Sequence, residues 1–307
     1  MEILFSQGPT SHSRIANSLT WMMRAHPDLL SLGAASFHFP WAQETFTDFL
    51  DPASPWLNSP GTKAIQLFAR VTGEELSAHS LAKLSRQLEA AFEANQGLAA
   101  YDWKSLVLRQ QINGVDLVYL VGAELEFLPL IEKASDADLV IVHEPFSFQF
   151  SATNFSEDRL EHVCPASTVM DEALRYCAAM NPEGRPACGL HIRRGDYATW
   201  LNGDYYYEDH FWLDTAARLI DEGSHVSVFT NEPESDLCAR LADSGACLSG
   251  GCPGQDLARL MLMDRIIGPP STFPLVATKL ARFCLDRSIT YQMLSSRHEQ
   301  SQQAEAS

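Results

Sequence analysis

Residues 191–197 read His-Ile-Arg-Arg-Gly-Asp-Tyr and hold the densest chemistry in the chain. They follow Ala-Cys-Gly-Leu at 187–190, an apolar run that reads as the end of a buried strand. Side chains alternate faces along a strand, so Arg193 and Arg194 cannot share one face. Gly195 then lets the backbone turn sharply. A guanidinium is planar, permanently charged and able to grip a phosphate through two N–H groups. In open α/β sheets, ligands bind at the carboxyl ends of the strands. Residue type and placement together point to a diphosphate site. Two plainer readings compete with it: a solvated surface Arg-Arg pair, and an Arg-Gly-Asp adhesion tripeptide, which needs an exposed loop in a secreted protein.

The same seven residues resemble the His-x-Arg-Arg-x-Asp signature of the fucosyltransferases of the α-1,2/α-1,6/protein-O class. They are nearest to its α-1,2 branch, the glycosyltransferase family 11-like enzymes. The resemblance continues in order along the chain. Gly-Asp-Tyr-Tyr at 203–206 looks like the segment that follows the signature and opens a helix. Val-Ser-Val-Phe-Thr-Asn-Glu-Pro at 226–233 looks like the family's strand ending in a Ser/Thr-Asp/Asn-Asp/Glu-Pro turn. Residues 256–268 look like its Asp-Leu-x-x-Met helix and the strand after it, and Pro-Ser-Thr-Phe at 270–273 stands where the family has a Ser-Ser/Thr-Phe loop entering a helix. At the front, Arg14 and Asn17 keep their places in a Gly-Arg-Leu-Gly-Asn-Gln-type loop, with Ala16 and Ser18 replacing its internal glycine and its glutamine. The family's Trp-Trp-Gly after the Ser-Thr-Phe loop is absent, and Pro-Leu-Val-Ala follows at 274–277.

The resemblance implies a GT-B-like α/β fold, with two Rossmann-like parallel-sheet lobes facing across a cleft. It implies metal-independent, inverting transfer of fucose from GDP-fucose to a hydroxyl of a glycan acceptor. GDP-fucose is then the donor substrate, and no cofactor and no metal are expected. Arg193 stands where the family's first signature arginine binds the β-phosphate, on which negative charge develops as the glycosidic bond breaks. A charge aimed at developing charge is usually the largest catalytic effect. The helix beginning near Thr272 could donate backbone N–H groups to the diphosphate, with the Ser271 and Thr272 hydroxyls assisting beside Phe273. His191 and Arg194 are candidate nucleotide contacts. Asp196 either orients an arginine or is a turn residue bonded to its own backbone. Asp256 either contacts the nucleotide or caps the helix ahead of Leu257. The acceptor hydroxyl must also lose a proton, and His12 in the N-terminal loop is the candidate base. Arg14 and Asn17 are expected to shape the acceptor side or to help position the donor.

Composition bounds these readings. A chain of 307 residues suits two α/β lobes, and 46% apolar with 20% charged residues is ordinary for a soluble globular protein. A net charge of −17 opposes nucleic acid and anionic membrane surfaces. No apolar run reaches the roughly 18 residues of a membrane span, and no basic region followed by an apolar stretch opens the chain. The expected setting is cytoplasmic. All seven cysteines lie in the second half, at 164, 177, 188, 238, 247, 252 and 284, without a Cys-x-x-Cys pair. They read as reduced, mostly buried thiols, and zinc is not expected. Asp136-Ala137-Asp138 precedes an apolar run, so it reads as a helix-to-strand turn and not as a metal-binding Asp-x-Asp. Asn154-Phe155-Ser156 fits a glycosylation sequon, and without export it is a chance match.

The elements that must position these residues alternate in period. Residues 1–8 read as a strand into a turn, and 37–61 as an elaborated loop rich in Pro, Trp and Phe. Leu76, Leu81, Leu84, Leu88 and Phe92 recur at helical spacing and predict a helix over 74–95. A second helix is predicted over 103–113. Parallel strands are predicted at 115–121 and 139–143 around a helical 128–134, and a helix at 169–180. Strong breakers at 181–186 place the lobe boundary just ahead of that loop. The lobes are set at 1–165 (acceptor side) and 166–294 (nucleotide-sugar side), with a disordered polar tail at 295–307. Beyond the breakers come strands at 187–193, 225–230 and 264–268 and helices at 207–221, 234–243, 256–263 and 273–283. Two other functions stay open: a same-fold glycosyltransferase with another nucleotide-sugar donor, and a noncatalytic nucleotide-sugar-binding scaffold, which the altered front loop and the missing Trp-Trp-Gly suggest.

Overall fold

A computed structural model describes residues 1–5, 36–38, 49–50, 62–96, 106–121, 134–143 and 163–297. The chain divides into two compact units, Met1–Val163 and Cys164–Ser307. Both are built on mixed α/β architecture around largely parallel sheets.

The first unit carries strands β1 (Glu2–Phe5), β2 (Ser36–His38), β3 (Leu106–Ile112), β4 (Val115–Val121) and β5 (Leu139–His143), with helices α1 (Thr62–Thr72) and α2 (Ala78–Gln96). Its sheet runs β2-β1-β5-β4-β3. Every pair is parallel except β3 with β4. Ala64, Phe68 and Val71 of α1 and Leu81, Leu84 and Leu88 of α2 pack with Leu117, Tyr119, Leu139 and Ile141 in one buried cluster. Those positions follow the helical and strand periods that bury one stripe of a helix on a sheet face.

The helix expected over 103–113 is instead strand β3. Asn113 and Gly114, with φ of 50° and 72°, close a tight hairpin that pairs Ile112 with Val115. Left-handed values at both central residues match the twist of paired strands, and Asn-Gly supplies them at low cost. Arg109 on β3 is held by Asp116 and Asp136, so Asp136 serves the hairpin and the turn before β5. The expected helix over 74–95 begins only at Ala78, because Ser77 and Ser80 exchange side-chain and backbone hydrogen bonds at its start. Helix α1 and strand β2 were not foreseen, and β2 occupies the start of the expected loop. The predicted helical segment 128–133, the side chain of Phe92 and the sequon at Asn154 lie outside the described residues.

The second unit contains α3 (Ser167–Met180), β6 (Ala187–Ile192), α4 (Asp209–Asp221), β7 (His225–Thr230), α5 (Asp236–Asp243), β8 (Cys247–Leu248), α6 (Pro253–Leu260), β9 (Arg265–Gly268), α7 (Thr272–Leu285) and β10 (Thr290–Met293). Its all-parallel sheet runs β10-β9-β6-β7-β8. The strand earliest in sequence, β6, lies in the centre, and the chain winds outward from it in both directions. That is the doubly wound order of a Rossmann sheet, and its direction reverses between β6 and β9. From Cys188 to Ile192 every residue of β6 is buried. Both faces of a parallel sheet are covered by helices, which explains the unbroken apolar run. Leu190, Val228 and Ile267 pack with Trp212, Leu219, Leu237 and Leu241 from the helices.

Three further expectations are corrected in this unit. Residues 203–206 do not open a helix: Gly203 ends a short 3-10 turn, and α4 starts at Asp209 after the buried Tyr207. Tyr207 donates its hydroxyl to the carbonyl of Ser295, Arg297 N–H donates to Asp204 O at 2.8 Å, and Ser296 is buried. The start of the expected disordered tail is therefore fixed to the unit, while 298–307 lies outside the described residues. The cysteines are not all reduced: Cys164 and Cys284 form a disulfide across 120 residues of sequence.

Candidate functional site

Strand β6 delivers the signature to the point where the sheet order reverses. Its neighbour across that point is β9, which ends at Gly268 and leads through Pro269, Pro270 and Ser271 into α7. The two strand ends approach closely. A Cβ at Gly268 would lie 2.7 Å from His191 O, so no larger residue fits without moving the backbone. His191 is buried, and its ring stacks on that of Phe273 at 5.7 Å with an interplanar angle of 16°. The chemistry-bearing ends of β6 and α7 are thus locked side by side at the crevice where doubly wound sheets bind ligands.

Beyond Ile192 the two arginines separate. Arg193 donates Nε to Asp196 Oδ1 at 3.0 Å and Nη2 to Asp196 Oδ2 at 2.8 Å. This bidentate pair occupies one edge of the guanidinium and fixes its plane. No other hydrogen bond of that group is present among the described residues, so its second edge can take an anion. The Arg193 guanidinium lies 5.6 Å from the centre of the Tyr197 ring. Tyr197 is buried and donates its hydroxyl to Pro270 O, which ties the signature turn to the loop before α7. Burial pushes the Tyr197 hydroxyl up to about 12, with Arg193 opposing the shift, so the group stays neutral.

Arg194 turns the other way. It donates to the Tyr206 hydroxyl at 2.8 Å, pairs with Asp209 at the start of α4, and lies 5.0 Å from the Tyr206 ring centre. Its side chain is committed to the protein itself. The Arg194 backbone is clamped as well: Asn231 Oδ1 accepts from Arg194 N at 2.9 Å, and Asn231 Nδ2 donates to Arg194 O at 3.2 Å. Gly195 has φ of 65°, and a Cβ there would sit 3.4 Å from the side chains of Asn231 and Glu232. The turn after β7 therefore holds the turn after β6 in place.

Ser271 is the N-cap of α7, and its hydroxyl accepts from Phe273 N at 3.3 Å. Thr272 is the first residue of the helix. A 14-residue helix carries partial positive charge at this end, and Tyr197 ties the loop before it to the signature turn. Of the two roles expected for Asp256, the cap is overturned. Cys252, not Asp256, caps α6, and Asp256 lies one turn inside it. Its Oδ1 accepts from Ser249 Oγ and from Gly251 N at 3.1 Å, and Arg259 stands 3.7 Å away. Arg259 is buried, pairs with Glu172 of α3 at 2.8 Å, and stacks 3.8 Å from the Tyr176 ring centre. These partners belong to α3, α6 and the loop after β8. Burial pushes the Asp256 carboxyl up to about 6, against the pull of Ser249 and Arg259.

Among the described residues, no cluster of three or more His, Cys, Asp or Glu is arranged to hold a metal ion. Among the same residues, no helix is long and apolar enough to cross a membrane. His12, Arg14 and Asn17 lie outside the described residues. Sequence reasoning brought Arg193, Asp196, His191, Ser271, Thr272 and Phe273 to one place. It assigned no role to Asn231, Tyr197 or Gly268. Asn231 stood in the quoted 226–233 block, but its two bonds to a backbone 37 positions away leave no trace in local spacing.

The chain is similar in fold to POFUT1. The apo form of POFUT1 matches at TM-score 0.55 and 10% identity over 95% of this chain and 98% of that one. The complex of POFUT1 with GDP-fucose matches at TM-score 0.55 and 10% identity over 95% and 97%, and its complex with GDP at TM-score 0.53 and 10% identity over 95% and 99%. At such identity the likeness establishes the fold. No family model matches the chain, and no curated protein does.

Proposed function

We propose that this protein is an inverting, metal-independent glycosyltransferase that moves fucose from GDP-fucose to a hydroxyl of a glycan acceptor. The observation that carries the reading is Arg193, oriented by Asp196 at the sheet reversal with one guanidinium edge open, in a turn that Tyr197 ties to the loop entering α7. In the proposed reaction the acceptor oxygen attacks the anomeric carbon and the bond to the β-phosphate oxygen breaks. The departing GDP gains negative charge, and the acceptor proton passes to a base. Arg193 and the helix N-terminus face that developing charge, which is the work a metal ion does in other transferases. The signature resemblance supports fucose as the sugar. So does the shared fold with POFUT1, a fucosyltransferase solved with GDP-fucose. His12 is proposed as the base, with Arg14 and Asn17 on the acceptor side and His191 near the nucleotide.

The deciding experiment is calorimetric titration with GDP, GDP-fucose and UDP-sugars in the presence of EDTA, on wild type and on Arg193→Ala. Guanine-selective binding is expected in wild type. Turnover of GDP-fucose is expected to fall by about a thousandfold in the variant, comparable to removing an oxyanion-hole donor. Binding of a UDP-sugar instead of GDP would assign another donor. Binding that depends on Arg193 without any turnover would make the chain a noncatalytic scaffold.

A further inference from the structure

The signature turn continues into a row of three aromatic rings. Tyr197 packs against Trp200 at 4.7 Å between ring centres, and Trp200 against Tyr205 at 5.5 Å. The inner ring, Tyr197, is the one beneath the Arg193 guanidinium. The middle ring is only partly covered: Trp200 is 42% exposed, and its neighbour Leu201 is 54% exposed. Two large apolar side chains side by side in solvent invite a reason, because such groups usually fold inward.

The backbone shows that their display is built in. Leu201, Asn202 and Gly203 have φ of 48°, 58° and 77°, three successive residues in the left-handed region. That region suits glycine and tolerates asparagine, but it is unfavourable for leucine. Strain of this kind persists where surrounding structure imposes it, and it concentrates at ligand sites. Here the reversal turns the chain back after Trp200, while Tyr197 and Tyr205 hold the indole between them.

We infer that Trp200 is the stacking platform for a neutral saccharide ring, the acceptor sugar of the transfer proposed above, on which this inference rests. One face of a pyranose presents polarised C–H groups that suit the negative face of an indole. Its hydroxyls need polar partners at the rim, and the exposed Thr199 and Asn202 stand on either side of Trp200 and Leu201. The acidic groups beside the row are largely neutralised, Asp196 by Arg193 and Glu208 by Arg297. A sugar resting on Trp200 lies one ring beyond the group that grips the diphosphate.

The test follows the indole N–H resonances of ¹⁵N-tryptophan-labelled protein, which has six tryptophans. The Trp200 signal is assigned by its loss in Trp200→Phe. GDP alone is titrated first. Methyl β-galactoside, methyl β-N-acetylglucosaminide and methyl α-mannoside are then added, with and without GDP. At least one saccharide is expected to move the Trp200 signal. Trp200→Ala is expected to weaken that saccharide about tenfold and Trp200→Phe less, while GDP affinity stays within about twofold. If no saccharide moves the signal, or if Trp200→Ala loses GDP affinity to a similar extent, the inference is overturned. Failure of wild type to bind GDP would instead defeat the donor reading, and the saccharide titrations without GDP still report on Trp200.

Discussion

Arg193 and Arg194 carry the same charge one residue apart, yet their surroundings give them separate tasks. Arg194 is tied to Tyr206 and Asp209 and anchors the turn to α4. Arg193 is held along one edge and open along the other. Replacing Arg193 by Lys keeps the charge but loses the two-pronged pairing with Asp196, so it is expected to restore little of the turnover lost in Arg193→Ala. Asn231 acts through Arg194's backbone, and its removal would let the signature turn drift. Misplacement of a catalytic group by about 1 Å can cost about a hundredfold in rate. Asn231→Ala is therefore expected to lower kcat for GDP-fucose turnover by about that factor, with partial rescue by Asn231→Asp, which keeps the acceptor for Arg194 N–H. Unchanged kcat in Asn231→Ala would show that the clamp is dispensable. The arginine pair was legible in the sequence because charged residues at the end of an apolar run break the strand pattern visibly. Asn231 was not legible as a clamp, because its target is distant in the chain.

At the scale of elements, α6 and the loop after β8 form a polar knot with α3. Asp256, Arg259 and Ser249 meet Glu172 and Tyr176 of α3, and Cys247 of β8 lies beside them. Burial raises the Asp256 carboxyl from 3.8 to about 6. The folded state therefore binds this proton more tightly than the unfolded state does. Its contribution is full below about pH 4 and is lost as pH rises through 6, a difference of roughly 2–3 kcal/mol. Urea unfolding of wild type and Asp256→Asn at pH 4.5 and pH 7 checks this. Wild type should lose about that much relative to the variant on going to pH 7, and an unchanged gap would mean that Asp256 ionises normally. The elements themselves were read unevenly. Strands β6 and β7 and helix α3 announced themselves by long apolar periods between strong breakers. Strand β3 was misread as a helix because Leu106, Val107 and Leu108 are consecutive and the polar Arg109, Gln110 and Gln111 follow, which fits neither period. The Asn-Gly pair at 113–114 was the better signal. Ala64, Leu67, Phe68 and Val71 mark α1 at helical spacing, yet the turn-rich stretch before them hid it. The short edge strands β8 and β10 had too few residues to show a period.

At the scale of the whole molecule, each unit supplies a largely parallel sheet, and the second is closed covalently. The Cys164–Cys284 bond joins the first residue of its unit to the last turn of α7, with the two Cα atoms 6.3 Å apart. Seven irregularly spaced cysteines gave no hint of this pair, since disulfide pairing depends on proximity in space. Such bonds persist in oxidising compartments and are rare in the reducing cytosol. The cysteines therefore no longer support a cytoplasmic setting. Closing a loop of 120 residues restricts the unfolded chain, and reduction, or the double change to Ser, is expected to lower the unit's stability by about 4–5 kcal/mol. Denaturant melts with and without reductant check that figure. The ring also determines how the molecule responds to a pull on its ends. Tension applied through residues 1 and 307 reaches the second unit at Cys164 and, once β10 and residues 294–297 have been pulled from β9 and from residues 204 and 207, passes to Cys284 through one covalent bond. From that point the chain between them is spared the load, and its unfolding adds almost nothing to the extension. Reduction would release roughly 400 Å of hidden length at about 3.5 Å per residue. An optical trap would see that step appear only after the bond is cut.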